Sequence, residues 1–280
     1  MYSNLTENAA KPLWRERDKE VRTKAIVEVK KRLKAREHLN DNLKTGQTPI
    51  ETRISKSEVQ EIINTIKRAP HREEMKRRGE GVQLENAVLY AGDFLKDYTK
   101  IPEESVDCII TDPPYVKEWL DNYQPFADAA AYVLKPGGFL VMYCGHIHLD
   151  YIMEQMTSAL DYFWIMTLIH SGTAKAVHSR SVQCGMKPVL VFNKPPRTQP
   201  KRYFNDVIQG SGREKGAHEW QQGTEELRQI LEPFTDPGDI VLDPFMGSGT
   251  VLEMAKKMNR KVIGFDIDPA NVEVVRGRLC

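Results

Sequence analysis

Residues 239–266 read DIVLDPFMGSGTVLEMAKKMNRKVIGFD, and this stretch decides the fold. It opens on a short apolar run, 239–243, with the spacing of a buried strand. A glycine-rich turn follows at Gly247, Ser248 and Gly249, and the stretch near 249–258 carries helical spacing. A second β-branched run, 261–265, then ends at Asp266. Strand, glycine turn, helix and strand make one βαβ unit with parallel strands. Such a turn lets the backbone approach a nucleotide-like ligand, and the helix start presents free N–H groups to it. Asp266 lies eighteen residues past Ser248, where a carboxylate can accept hydrogen bonds from both hydroxyls of a ribose. Leu252 stands near where a dinucleotide fingerprint needs its third glycine, which argues against a nicotinamide-dependent oxidoreductase.

The same alternation extends toward the N-terminus as far as residue 81. Further strand-like runs fall at 87–91, 106–111, 139–143, 163–169 and 188–193, making seven with the two above. Helical stretches lie near 123–133, 149–159, 223–232 and 269–278. The expectation is an α/β domain over 81–280, Rossmann-like, with a seven-stranded, mostly parallel sheet covered on both faces. Residues 194–217 show no periodicity and read as a long polar loop.

A second motif, Asp112-Pro113-Pro114-Tyr115, directly follows the buried run 106–111. Two prolines fix two φ angles and remove two donors, so the carbonyls around them stay free to accept. Asp112 adds a carboxylate acceptor and Tyr115 a flat face for stacking. Together they suit a planar group bearing an NH2.

These residues resemble the amino-methylating DNA methyltransferases, which act on adenine N6 or cytosine N4. The family signatures [D/N/S]-P-P-[Y/F/W] and D-x-F-x-G-x-G stand intact at 112–115 and 243–249. The resemblance spans about 87–280 and includes AGDFL at 91–95, SVDCIIT at 105–111, LKPGG at 134–138 and GFDID at 264–268. The catalytic motif precedes the cofactor loop, an order similar to the circularly permuted class called beta. The resemblance implies the Rossmann-like S-adenosylmethionine-dependent methyltransferase fold. It implies a DNA methyltransferase, site-specific or of relaxed specificity, acting on the N6 amino group of adenine; Asp at the first motif position is the form mostly associated with adenine. An N4-cytosine or RNA methyltransferase is the alternative, and a nucleic-acid-binding protein that has lost catalysis is a second.

Carried over by position, the resemblance gives Asp112, Pro113, Pro114 and Tyr115 to catalysis. It gives Asp93 to the cofactor adenine, Asp266 to its ribose, and Asp243 with Gly247, Ser248 and Gly249 to its methionine end, with Phe245 and Thr250 as further cofactor contacts. HEWQQ at 218–222 falls where many relatives carry HPTQKP. It keeps His218 and Gln221 as cofactor contacts, with Trp220 and Gln222 replacing the threonine and lysine. In the implied sheet, strands ending at Asp112 and Asp243, 131 positions apart, are neighbours at the switch point where open α/β sheets bind ligands.

Charge is uneven although the net is only +1. Residues 1–80 hold 20 Lys/Arg against 13 Asp/Glu, a balance of +7, and residues 81–280 hold 20 against 26, a balance of −6. A basic helical extension on an acidic body suits a polyanion, or is simply a solvated helix. Residues 13–39 read as one long helix and Ser55 or Ser57 as the cap of a second that Pro70 ends, with a break at 45–49. The extension looks too small for its own core. Phosphate contacts are expected from Lys175, His178 and Arg180 in one loop and from Lys201, Arg202 and Arg213 in another.

Cys108, Cys144, Cys184 and Cys280 show no metal or disulfide spacing, and Cys144, His146 and His148 read as loop residues rather than a metal site. No run approaches the roughly 18 apolar residues of a membrane span, and 1–11 lacks a secretion signal. The expected setting is the cytoplasm of a bacterium or phage-infected cell, at the nucleoid, with DNA as partner, no membrane, and a homodimer left open.

Overall fold

The computed structural model describes residues 5–42, 51–169, 175–210 and 222–280. The chain divides into two compact units, Met1–Glu74 and Met75–Cys280.

The first unit is helical. Helix α1 spans Glu7–Arg15 and α2 spans Lys19–Asp41, while α3, Lys56–Gly79, begins in this unit. The single helix read over 13–39 is therefore two. The chain turns at Glu16–Asp18, and Asp18 Oδ1 caps α2 by accepting from Glu20 N and Val21 N. Ser55 caps α3 in a reciprocal box: its Oγ accepts from Glu58 N, and Glu58 Oε2 accepts from Ser55 N. Two expectations fail here. Pro70 does not end α3, which runs on to Gly79; a proline inside a helix removes one donor, and Ile62 and Ile63 before it and Met75 after it are buried anchors. The extension also has a core of its own, because sparse stripes pool: Leu13, Ala25, Val29, Leu33, Val59, Ile62 and Ile63 pack into one cluster. The 45–49 break lies outside the described residues.

The second unit begins its sheet with β1 (Ala87–Ala91), followed by α4 (Phe94–Asp97), β2 (Val106–Thr111), α5 (Tyr123–Val133) and β3 (Leu134–Tyr143). Then come α6 (Leu149–Met156), β4 (Asp161–Ile169), a ribbon of β5 (Lys175–Val177) and β6 (Val182–Cys184), β7 (Met186–Asn193) and β8 (Val207–Gln209). The chain closes with α7 (Gln222–Leu231), β9 (Ile240–Asp243), α8 (Thr250–Lys257), β10 (Lys261–Asp266) and α9 (Pro269–Arg278).

The main sheet has the order β1-β10-β9-β2-β3-β7-β4-β8. It is parallel except that β7 runs against both β3 and β4. All seven expected strands are in it. The eighth, β8, lies inside the stretch read as a polar loop, pairing Ile208 with Leu168 of β4. Three residues are too few to show a period of two.

The faces carry separate cores. On one, Ile109 and Leu140 pack with Phe126, Ala130 and Ile152 of α5 and α6. On the other, Cys108, Ile110 and Val241 pack with Ile230, Leu252 and Val275 of α7, α8 and α9. The chain leaves β2 for one face and β9 for the other, and these two strands are hydrogen-bonded neighbours. Between them lies the crevice of an open α/β sheet, at the strands' carboxyl ends.

Candidate active site

Parallel register brings the two motifs together. Cys108 pairs with Val241 and Ile109 with Leu242, so the strands end side by side. Thr111 Oγ1 donates to Asp243 Oδ1 at 2.8 Å, and Phe245 N donates to the same oxygen at 3.1 Å. Asp243 is only 3% exposed. Burial pushes its carboxyl up to about 7; the Thr111 and Phe245 hydrogen bonds pull it down, and the charges of Asp112 and Asp266 push it further up.

The glycine turn is held from the next strand. Gly247 N donates to Asp266 Oδ2 at 2.9 Å, while Asp266 Oδ1 accepts from Asp268 N and Asn271 Nδ2. Gly249 has φ +77°, and a Cβ there would meet Val275 Cγ2 at 2.7 Å, so both backbone conformation and space require glycine. In front of this turn lies a cavity of about 490 Å³ lined by Asp93, Asp266, Pro114, Trp119 and Phe245. Asp93 also caps α4, its Oδ1 accepting from Leu95 N.

The cavity suits S-adenosylmethionine. Two carboxylates face a ligand that carries a ribose diol and cationic groups, and Trp119 and Phe245, edge to face at 5.3 Å, offer aromatic walls to a flat base. Among the described residues, Tyr123 Oη is a buried side-chain atom without a hydrogen-bond partner. Its ring packs edge-on against Trp119 at 4.7 Å.

At the mouth of the crevice, Asp112 and Tyr115 are exposed, Tyr115 by 43%, and Pro113 is buried. Asp112 is not free. Lys187, the second residue of β7, donates to Asp112 Oδ1 and Oδ2, each at 3.0 Å. The same ammonium lies 4.8 Å from the Tyr115 ring centre and 4.6 Å from that of Tyr143, at the end of β3. Burial pushes the Cys144 thiol up to about 12 and raises Cys108 further, so neither is poised as a nucleophile.

The other expected residues divide. Ser248 and Thr250, like Asp243, Gly247 and Gly249, do not line the cavity; the two hydroxyls lie 3.2 Å apart, and Arg278 donates to Thr250 Oγ1 and to the Ser248 carbonyl. Lys175 opens β5, and His178 and Arg180 sit in the connection to β6. Arg180 lines a second cavity, about 590 Å³, with His146, Cys184 and Met186, beside Lys187 in the chain. Lys201 and Arg202 sit away from this cleft, with side chains about half exposed. Lys201 N donates to the Pro233 carbonyl, and Arg202 donates to the Glu232 and Thr235 carbonyls and to Asp236 Oδ1. Those partners precede β9, at the opposite end of the strands from Asp112 and Asp243. Arg213, His218 and Gln221 lie outside the described residues.

Sequence reading missed Lys187, Trp119, Tyr123 and Tyr143. None belongs to a motif, and all reach the site through space; only the placement of 143 at the end of one expected strand and of 187 just before another hinted at it.

Comparison with known proteins agrees with this architecture. The N6/N4 DNA methylase family matches residues 106–276. The Type II methyltransferase M.HpaI of Haemophilus parainfluenzae is 26% identical over 233 residues, covering 68% of this chain and 73% of that protein. The solved PvuII DNA methyltransferase, cytosine-N4-specific, superposes with a TM-score of 0.60 at 19% identity, covering 70% of this chain and 87% of its own. The M1.HpyAVI–SAM complex gives 0.54 at 24% identity, covering 69% and 98%. The fold is that of the S-adenosylmethionine-dependent DNA methyltransferases, and the chain belongs to the N6/N4 DNA methylase family.

Proposed function

We propose that this DNA methyltransferase modifies the N6 amino group of adenine, with Asp112 and Tyr115 receiving the target base. The observation that carries the reading is the juxtaposition of Asp112-Pro113-Pro114-Tyr115 with the Asp243 turn across the crevice between β2 and β9. The cofactor is S-adenosylmethionine, which supplies a methyl group activated by its sulfonium. Asp93, Asp266 and Phe245 would hold it, with Trp119 as a further wall.

The target amine lies inside a duplex, so the base must leave the stack. Tyr115 exposes a face on which a flipped base stacks. The Asp112 carboxylate accepts a hydrogen bond from the amino group, and the Pro113 carbonyl accepts a second. These bonds fix the direction of the nitrogen lone pair and offset the positive charge that grows on nitrogen. Much of the acceleration comes from holding the amine in place.

Lys175, His178 and Arg180 on the β5–β6 ribbon would meet DNA phosphates, and Arg213 and the basic residues of 1–80 are proposed as further phosphate contacts. The setting that follows is the bacterial or phage-infected cytoplasm, and similarity to a Type II methyltransferase makes a restriction partner part of the proposal. The helices of the described residues include none long and apolar enough to cross a membrane.

Nucleoside analysis of DNA from cells expressing the protein tests the base. N6-methyladenine is the expected product. N4-methylcytosine would move the same site to the alternative base, and methylation confined to RNA would overturn the substrate.

A further inference from the structure

Lys187 carries a feature that amino-methyl transfer does not itself require. Its ammonium is enclosed by one carboxylate and two aromatic rings: Asp112 at 3.0 Å through both oxygens, Tyr115 at 4.8 Å and Tyr143 at 4.6 Å. A carboxylate with aromatic faces is a box for a cationic nitrogen. Two of its walls, Asp112 and Tyr115, are the groups that would receive the target amine and its base.

We propose that Lys187 is a placeholder: its ammonium fills the subsite of the target amino group, and a base enters only as Lys187 withdraws. The inference rests on the assignment of Asp112 and Tyr115 to the target base. A ring stacked on Tyr115, with its amine on Asp112, claims the space in which the ammonium stands, so the two exclude each other. Lys187 is able to leave, since its side chain is 22% exposed and hangs on a flexible four-carbon stem. The box also explains what the subsite favours. The amino nitrogen is neutral in the substrate and gains positive charge as the new bond forms, so walls that hold an ammonium fit the reacting nitrogen better than the resting one. Tyr143 thereby becomes a further wall of the amine subsite.

Steady-state kinetics on the full chain, with saturating S-adenosylmethionine and varied duplex DNA, test this. A partly exposed ion pair is a weak competitor, so Lys187→Ala should lower KM for DNA roughly two- to five-fold while kcat stays within about twofold. Lys187→Arg should raise KM, because a guanidinium grips a carboxylate with two parallel bonds. Propylammonium chloride should inhibit Lys187→Ala competitively with DNA, beyond potassium chloride of equal ionic strength, and should not do so in the wild type. A fall in kcat at unchanged KM, or restoration of activity by propylammonium, would overturn the placeholder in favour of a residue that holds Asp112 in shape. Should Lys187→Ala not fold, an unchanged or lowered KM in Lys187→Arg overturns it alone. Asp112→Ala run alongside separates the two failures: activity there sinks the site assignment, whereas inactivity there with unmoved Lys187 kinetics sinks only the placeholder.

Discussion

Asp243→Asn should remove a pH dependence from the stability of the catalytic unit. In the folded protein burial keeps a proton on Asp243 up to about pH 7, against an ordinary value of 3.8. Between those two values the unfolded chain has released this proton and the folded chain has not, so stability falls as pH rises. The contribution is fully present below about 3.8 and is gone once pH has passed about 7. Over a span from 3.8 to about 7, at about 1.36 kcal/mol per pH unit, the loss comes to about 4 kcal/mol. An asparagine oxygen still accepts from Thr111 Oγ1 and Phe245 N, both of which meet Asp243 through a single atom, Oδ1. The variant therefore keeps the local bonds and drops the titration. Urea unfolding read by tryptophan fluorescence is a fitting assay, since Trp119 packs against Phe245 beside this loop. The variant should gain on the wild type by about 3 kcal/mol between roughly pH 4.5 and 8. A difference that stays constant across that range would refute the argument that burial sets the Asp243 proton affinity.

Two other substitutions probe the loop and the base platform. Gly249→Ala forces a Cβ onto Val275 Cγ2 at 2.7 Å and into a left-handed conformation, and should cost about 2–4 kcal/mol in thermal or urea unfolding; an unchanged Tm would contradict the packing described. Tyr115→Ala removes a stacking surface worth about 1–3 kcal/mol per base, so KM for DNA should rise roughly five- to 150-fold, with Tyr115→Phe close to wild type. Equal loss in both variants would assign the effect to the hydroxyl instead.

Much of the catalytic fold was legible because its signals are local. The run 106–111 and its successor Asp112 mark a buried strand and the turn after it, and residues 243–250 carry a strand end, a glycine turn and a helix start in eight consecutive positions. What escaped depends on distance or brevity. The strands β5, β6 and β8 have three residues each, below what a period of two can reveal. The helical core of the N-terminal unit is assembled from thin stripes on α1, α2 and α3, none sufficient alone. Lys187 meets Asp112 across 75 positions, and only the antiparallel pairing of β7 with β3 brings it there. Arg202 was visible only as charge; its bonds to the Glu232 and Thr235 carbonyls and to Asp236, which place it at the far end of the strands, were not.

The central claim is that Asp112 receives the amine that is methylated. The direct measurement is transfer of a labelled methyl group from S-adenosylmethionine to DNA by Asp112→Ala, with cofactor binding measured on the same preparation. Asp112 lies outside the set of residues lining the cavity that suits the cofactor. Binding should therefore survive while transfer falls to background. Transfer at the wild-type rate by a variant that binds cofactor normally would contradict the account.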